Sequence, residues 1–532
     1  LSGFRIAVRR LTVRRLIASA VSLALLLPPA APAQVNLPSL GDSVSQDLDV
    51  NSERRYGDEI MAEIWLDPDC IDDPLLQEYL VGTFEPLVAA ARKLGNITEE
   101  TSDHFAWRAF LVRDKTINAF ALPGGFIGVH LGLIAMTGSR DELASVLGHE
   151  LSHVTQRHIA RRIAGDSRNS LLATAALLAG ILAAAKGAPD AAQAAIVTGQ
   201  AAAQAASLAF SRDMEREADR VGFQVMSTAG YAPSGMSSMF ERMEQATHLM
   251  DSGNYPYLRS HPLTNERIAD SRLRVGTKDF VRPVGTPEHA MMAARARVLM
   301  DTTVASLLPL QKLDQGARDD ARNGTGFDQL GGRYASALAS IKLRDWARAE
   351  RAIDAAEQLL QGFGDRDVGG RAHRDLVFLR AELAQARVQP AAGMAALDTL
   401  TADRSRPMLM ARAGLAMELP DRNASRTAAD DLQTWTSLHT EDMLAWSTLA
   451  QLWDRLGQPL RSVRAQAEVH AAAGDLKGAI DRLRSGLRLS RSPSADQIEA
   501  SVIDARLRTL TYQRRQRLAE MYPNGVPRGE EP

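Results

Sequence analysis

The sequence predicts a mainly α-helical protein: a helical domain carrying a small β-sheet, followed by an α-helical tetratricopeptide-repeat solenoid. Three observations predict this. Apolar residues recur at helical spacing through residues 56–95, as in Leu76, Leu80, Phe84, Leu87 and Val88. Strand signals are confined to two short stretches, "FAWRAFLV" at 105–112 and "INAFALPGGFIGVHLGLI" at 117–134, the second reading as strand, Gly-Gly turn, strand. From about residue 330 the composition turns to Ala, Leu and Arg, with small residues where paired helices would cross.

Length and composition set the outer limits. A chain of 532 residues exceeds one ordinary core, so it divides into residues 34–290, a link over 291–330, the repeats over 331–522 and a disordered tail over 523–532. The formal charge of −2 calls for no nucleic acid. Cys70 is the single cysteine, which excludes an intrachain disulfide and C-x-x-C metal sites. Any metal must therefore be held by His, Asp or Glu. Residues 1–33 read as a signal peptide. Arg5, Arg9, Arg10, Arg14 and Arg15 precede the apolar run "LIASAVSLALLL", and "APA" at 31–33 is an A-x-A cleavage site. Cleavage near Ala33 would release the protein into the periplasm, by the general secretory route or, given the paired arginines, the twin-arginine one.

The elements then follow in order. Residues 34–55 are polar and read as an extended arm. "SRDELASVLGHELSHVTQRHIARRI", 139–163, reads as one long helix, opened by a capping box between Ser139 and Glu142. The alanine-rich runs between 165 and 210 flank "KGAPD" and read as a helical hairpin. It is either packed inside the domain or turned toward a membrane surface or substrate. In the repeat half, Ala337, Asp345-Trp346, Ala349 and Ala356 are echoed by Ala467, Gly474-Asp475 and Ala479, and Trp446, Leu449, Ala450, Trp453 and Gly457 add a further copy. Roughly four degenerate repeats result; a generic helical bundle is the alternative.

The chemistry concentrates in "LGHELSHVTQRH", 147–158. His149 and His153 lie four residues apart, about 40° apart on one helix face, so both imidazoles can reach one ion. Glu150 stands at the edge of that face, near the ion without ligating it. This is the H-E-x-x-H arrangement, in which zinc lowers the pKa of its water to about 7 and the glutamate takes the proton. His158 falls about 180° from His149 on a continuous helix, which reads as a packed histidine. Gln156 and Ile159 stand where a metzincin has Gly and His. The third ligand must come from elsewhere. In "SRDMEREADRVGF", Glu215 and Asp219 share a face: one carboxylate could bind zinc while the other holds a ligand imidazole. Glu217 points away and reads as solvated.

"NAFALPGGFI", "HELSH", "SRDMEREAD" and "RSHPLTNERIAD", in that order, resemble gluzincin peptidases of the CAAX-endopeptidase-like group, and in particular the periplasmic, repeat-bearing members of that group. The resemblance implies a helical gluzincin metallopeptidase domain with an active-site sheet. It implies that His149, His153 and Glu215 bind one zinc, that Glu150 is the general base, and that Asp219 supports a ligand. It implies that Asn118, Ala119, Phe120 and Ala121 form the strand edge that pairs with substrate. The implied substrates are misassembled or stalled outer-membrane proteins, and the implied partner is the β-barrel assembly machinery, met through the repeats. His261, before a proline, sits in extended backbone off a helix. It reads either as a solvated loop side chain or, since zinc prefers four ligands, as a fourth ligand, and the resemblance implies the latter, holding the enzyme off. "HLMDSGNYPYLR", 248–259, would then plug the cleft, and Arg267 would stabilise the oxyanion. A rival reading is a chaperone or scaffold acting mainly through its repeats, with proteolysis normally switched off.

Overall fold

The computed structural model describes residues 49–165, 210–249, 256–276, 285–316, 326–492, 496–522 and 526. The signal-peptide, alanine-rich hairpin and C-terminal tail readings fall outside the described residues, apart from Phe210, Val526 and the start of the hairpin segment. The described chain is mainly helical with one small sheet, as expected. No described helix is long and apolar enough to cross a membrane.

The first half opens with α1 (Val50–Ile64), so the last residues of the expected arm are helical. Asp49 caps it by accepting from the Ser52 amide. Next come β1 (Cys70–Ile71) and α2 (Pro74–Lys93), which Asp73 caps with proline at the first helical position. A short α3 (Glu99–His104) leads to β2 (Arg108–Val112), β3 (Ala119–Leu122) and β4 (Phe126–His130). Gly124 and Gly125 turn the β3–β4 hairpin at φ of 74° and 89°, a region where other residues are strained. The end of the stretch expected as strand is instead α4 (Leu131–Met136). Strand order is β1-β2-β4-β3, with β2 and β4 parallel and the other pairs antiparallel. One flank of β3 is therefore the sheet edge.

The expected long helix is two. α5 (Arg140–Thr155) ends, Arg157 takes a left-handed φ of 51°, and α6 (His158–Gly165) starts afresh. Ser139 caps α5, but only half of the expected box forms: the Glu142 carboxylate accepts from the Gly138 amide and from Arg242. α7 (Arg212–Thr228) packs across α5 at a glycine crossing. A Cβ on Gly222 would stand 3.0 Å from the Gly148 backbone, so only glycine lets the two helices approach this closely. α8 (Ser234–Leu249), α9 (Pro256–Ser260) and α10 (Asn265–Val275) complete this half.

The described part of 291–330 is packed helix. α11 (Pro287–Leu299) and α12 (Val304–Gln311) are packed helices, and Met291, Met292, Ala296 and Val298 are buried. One continuous apolar core runs from Leu75 in α2 through these residues to Leu415. Covering this much apolar surface outweighs what chain flexibility would gain there. From α13 (Leu313–Gly316) onward the chain forms successive helices. These are α14 (Gly326–Lys342), α15 (Trp346–Gln361), α16 (Arg371–Ala386), α17 (Pro390–Leu397), α18 (Arg406–Glu418) and α19 (Arg422–Leu438). They continue with α20 (Met443–Arg455), α21 (Pro459–Ala472), α22 (Leu476–Leu489) and α23 (Gln497–Met521). Neighbours in sequence pack on one another. Ala337, Ala349, Ala356, Ala467 and Ala479 are all fully buried, as close helix crossings require.

His289 ties α11 to the first half. Its Nδ1 lies 2.6 Å from the Tyr79 hydroxyl and its Nε2 lies 2.9 Å from the Thr137 carbonyl, so a neutral ring satisfies both, accepting from one and donating to the other. Burial pushes the imidazole down to about 4, against the weaker pull of the Thr137 carbonyl. The unfolded chain then binds the extra proton between pH 6.5 and 4, so stability falls as pH falls through that window. Denaturant titrations at pH 7 and pH 5 are expected to differ by about 2 kcal/mol from this residue alone. A His289→Gln variant should have that much less acid sensitivity; an unchanged difference would exclude His289 as the source.

Candidate metal centre

α5 places His149, Glu150 and His153 in the interior, all essentially without solvent contact. The glycine crossing brings α7 alongside, so Glu215 and Asp219 face the histidines. The His149 and His153 Nε2 atoms are 3.0 Å apart, and each lies 3.5 Å from a Glu215 oxygen. His261, which follows α9, enters the same space: its Nδ1 is 2.9 Å from Glu215 Oε1 and 3.3 Å from His149 Nε2. The four residues offer one ligand atom each within 4.8 Å of one another.

Hydrogen bonding on the outer sides of the rings decides what these atoms can do. His149 Nδ1 lies 2.9 Å from Asp219 Oδ1, and His153 Nδ1 lies 2.9 Å from His158 Nδ1. If each Nδ1–H donates outward, both Nε2 atoms are bare lone pairs facing each other at 3.0 Å. Such a pair repels unless a cation lies between them. The carboxylates point the same way. Burial opposes positive charge at His149, yet Glu215 and Asp219 favour it and hold the imidazole up at about 10, so that Nε2 carries either a proton or, in its place, a metal cation. Glu215 is held well below the usual carboxylate range: burial opposes this, and the facing His261 and His149 outweigh it. Two imidazoles, a carboxylate and a further imidazole make a nitrogen-and-oxygen donor set that fits a divalent transition metal.

Glu150 stands beside the cluster, with Oε1 3.6 Å from His261 Nε2. Both of its oxygens are buried without a well-aligned hydrogen-bond partner. Burial raises its carboxyl above the usual range, with His261 and His149 partly offsetting this. A carboxylate so placed is a proton acceptor poised nearer neutrality than an exposed one.

Arg267 sits differently from the oxyanion role expected of it. It donates from Nε and Nη2 to both oxygens of Asp219, at 2.7 and 2.8 Å, and from Nη1 to the Pro262 carbonyl at 3.0 Å. Nη1 also stands 2.9 Å from Glu215 Oε2, close enough for charge attraction though not aligned as a hydrogen bond. The guanidinium is engaged behind the ligands and holds their carboxylates in place. Asn118 is buried just before β3, Ala119 and Ala121 are buried within it, and Phe120 is half-buried. The expected plug is described only at its ends. There Tyr257 is buried and stacks on His261 with ring centroids 4.6 Å apart.

Three contributors escaped the sequence reading. Tyr257 lay inside the plug stretch without being singled out. Phe210 stacks on His153 at 4.0 Å between centroids, and nothing in its local pattern marks it. Glu217 is not simply solvated: its Oε2 lies 3.1 Å from His158 Nε2 and 2.9 Å from Arg161 Nη1.

Residues 85–274, which contain all of these side chains, match Peptidase family M48. The chain carries an M48 metallopeptidase domain. Along almost its whole length it is similar to the beta-barrel assembly-enhancing protease of Escherichia coli (strain K12), 29% identical over 496 residues that cover 92% of this chain and 94% of that protein. A putative beta-barrel assembly-enhancing protease of Vibrio cholerae is 33% identical over 316 residues, 59% of this chain and 62% of the relative. The mitochondrial metalloendopeptidase OMA1 of Schizosaccharomyces pombe is 34% identical over 166 residues, 30% of this chain and 44% of the relative. The protein is thus a metalloendopeptidase whose M48 domain is followed by a helical C-terminal region.

Proposed function

We propose that the protein is a periplasmic zinc endopeptidase that removes misassembled or stalled outer-membrane proteins and assists β-barrel assembly. The observation that carries the reading is the buried cluster of His149, His153, Glu215 and His261 with the buried Glu150 carboxylate beside it. When bound there, zinc supplies a Lewis acid that polarises the scissile carbonyl and acidifies water. Glu150 takes the proton from the attacking water and returns it to the leaving amine. Asp219 fixes the tautomer of His149, and Arg267 holds Asp219 and Glu215. Substrate backbone pairs with the open edge of β3 at Asn118, Ala119, Phe120 and Ala121, in extended form. The link to β-barrel assembly is supported by the full-length similarity to beta-barrel assembly-enhancing proteases. Export is supported by the basic run, apolar run and A-x-A of residues 1–33, and docking through repeats by the small residues at the helix crossings of the C-terminal region. The test is casein cleavage by the mature protein with and without chelator, together with rescue of an outer-membrane assembly defect by wild type and by Glu150→Gln. Equal rescue by both would favour the scaffold reading.

His261 supports a held-off state, since it fills a fourth position at the cluster and Tyr257 stacks on it. His261→Ala is expected to raise basal proteolysis several-fold with zinc content unchanged, because a position for water opens. Turnover of an unfolded substrate and zinc per chain are the measurements. A slower variant that keeps its zinc would make His261 a catalytic helper instead.

A further inference from the structure

The break between α5 and α6 is costly in backbone terms. Arg157 is a non-glycine residue at φ 51°, and such conformations persist where the surroundings enforce them. Its side chain is held by a 2.9 Å ion pair to Glu53, which is buried on α1. The break changes where His158 points. On an unbroken helix His158 would sit about 140° around from His153. After the break its Nδ1 lies 2.9 Å from His153 Nδ1, and the ring is fully buried.

On its far side His158 Nε2 meets Glu217 Oε2 at 3.1 Å, and Arg161 holds the same carboxylate oxygen at 2.9 Å. The proton positions are then determined by exclusion. Glu217 can only accept, so His158 donates from Nε2 and leaves Nδ1 as an acceptor. His153 must therefore carry its proton on Nδ1, and its Nε2 is bare toward the cluster. Both ligand histidines are thus backed by a carboxylate from α7: His149 by Asp219 directly, and His153 by Glu217 through an intervening imidazole.

We infer that His158 and Glu217 are positioning residues that lock the tautomer and orientation of His153 for metal binding, and that the helix break at Arg157 exists to bring them there. The inference rests on the metal site proposed above. Partners of this kind set ligand basicity, and their loss typically costs 10- to 100-fold in metal affinity.

The test measures zinc affinity of the full mature chain by competition with a chromophoric chelator, alongside the denaturant midpoint of the metal-free protein. His158→Leu removes the acceptor and is expected to raise the zinc Kd about 10- to 100-fold. His158→Gln can accept from His153 and donate to Glu217, and is expected to stay close to wild type. Glu217→Ala, at a partly exposed position, is expected to raise the Kd about tenfold with little change in the metal-free midpoint. Unchanged affinity in both His158→Leu and Glu217→Ala overturns the inference, as does a glutamine variant that binds no better than leucine. A shift confined to the metal-free midpoint would show a packing role only and overturn it too. His153→Ala, run in parallel, separates the two claims: if it keeps full affinity, the metal site itself is wrong.

Discussion

Glu150→Gln is expected to bind zinc and fold like the wild type while losing about three orders of magnitude in proteolysis, within the span that general acid–base groups contribute. The amide is nearly isosteric, so the packed interior around position 150 is undisturbed. The carboxylate is buried, and the Tyr257 hydroxyl that faces it can donate to an amide oxygen as well as to a carboxylate. What disappears is the proton acceptor, and with it the donor for the leaving amine. Single-turnover cleavage of a quenched peptide, with zinc content and circular dichroism on the same samples, checks this. Turnover within tenfold of wild type would rule out Glu150 as the base.

His153→Ala and Glu215→Ala are each expected to abolish stoichiometric zinc binding and, with it, all measurable cleavage. Wild type should hold about one zinc per chain. The two losses differ in their consequences for the metal-free fold. Removing Glu215 leaves the buried His149, His261 and Arg267 without the carboxylate that faces them, at 3.5, 2.9 and 2.9 Å. Breaking a buried charge cluster from one side typically costs about 3–5 kcal/mol. His153→Ala leaves no such unbalanced charge and should unfold nearer to wild type. At saturating zinc the His158 variants should still reach full occupancy, since that ring does not face the cluster. Elemental analysis after gel filtration, and denaturant melts of metal-free protein, distinguish these outcomes. Retention of one zinc by the Glu215 variant would transfer the ligand role elsewhere.

Much of the site was legible because it depends on short-range geometry. The four-residue spacing of His149 and His153 brings two imidazoles onto one face of α5 whatever surrounds it. The same spacing pairs Glu215 with Asp219 on α7. Which of those two carboxylates joins the histidine cluster was not decided by spacing, because both lie on the same face. The crossing at Gly148 and Gly222 decides it, setting Glu215 toward the cluster and Asp219 behind His149. The hairpin was legible for a similar local reason, since Gly124 and Gly125 fit a turn that other residues resist.

Other readings failed where they assumed continuity. Periodicity carried the helix of α5 straight through residue 157, because no proline or glycine marks the break; there Arg157 pairs with the buried Glu53, more than a hundred positions away. Glu217 read as solvated because its partners lie on α6, which only the break brings within reach. The segment 291–330 read as a link because Pro283 and Pro287 lead into it and polar runs fill it, while Met291, Met292, Ala294, Ala296 and Val298 take part in a core shared with both halves. The contact of Arg267 with Asp219 was likewise not legible from its spacing to His261, because it is a matter of how α10 meets α7.

The sequence by itself determined the helical class and the residue types that could hold a metal, because backbone periodicity and side-chain chemistry are local properties. Only the tertiary structure decided the direction each side chain faces and the partners that set its protonation. Those depend on contacts between helices far apart in the chain, where burial and charge are properties of the packed interior rather than of any stretch of residues.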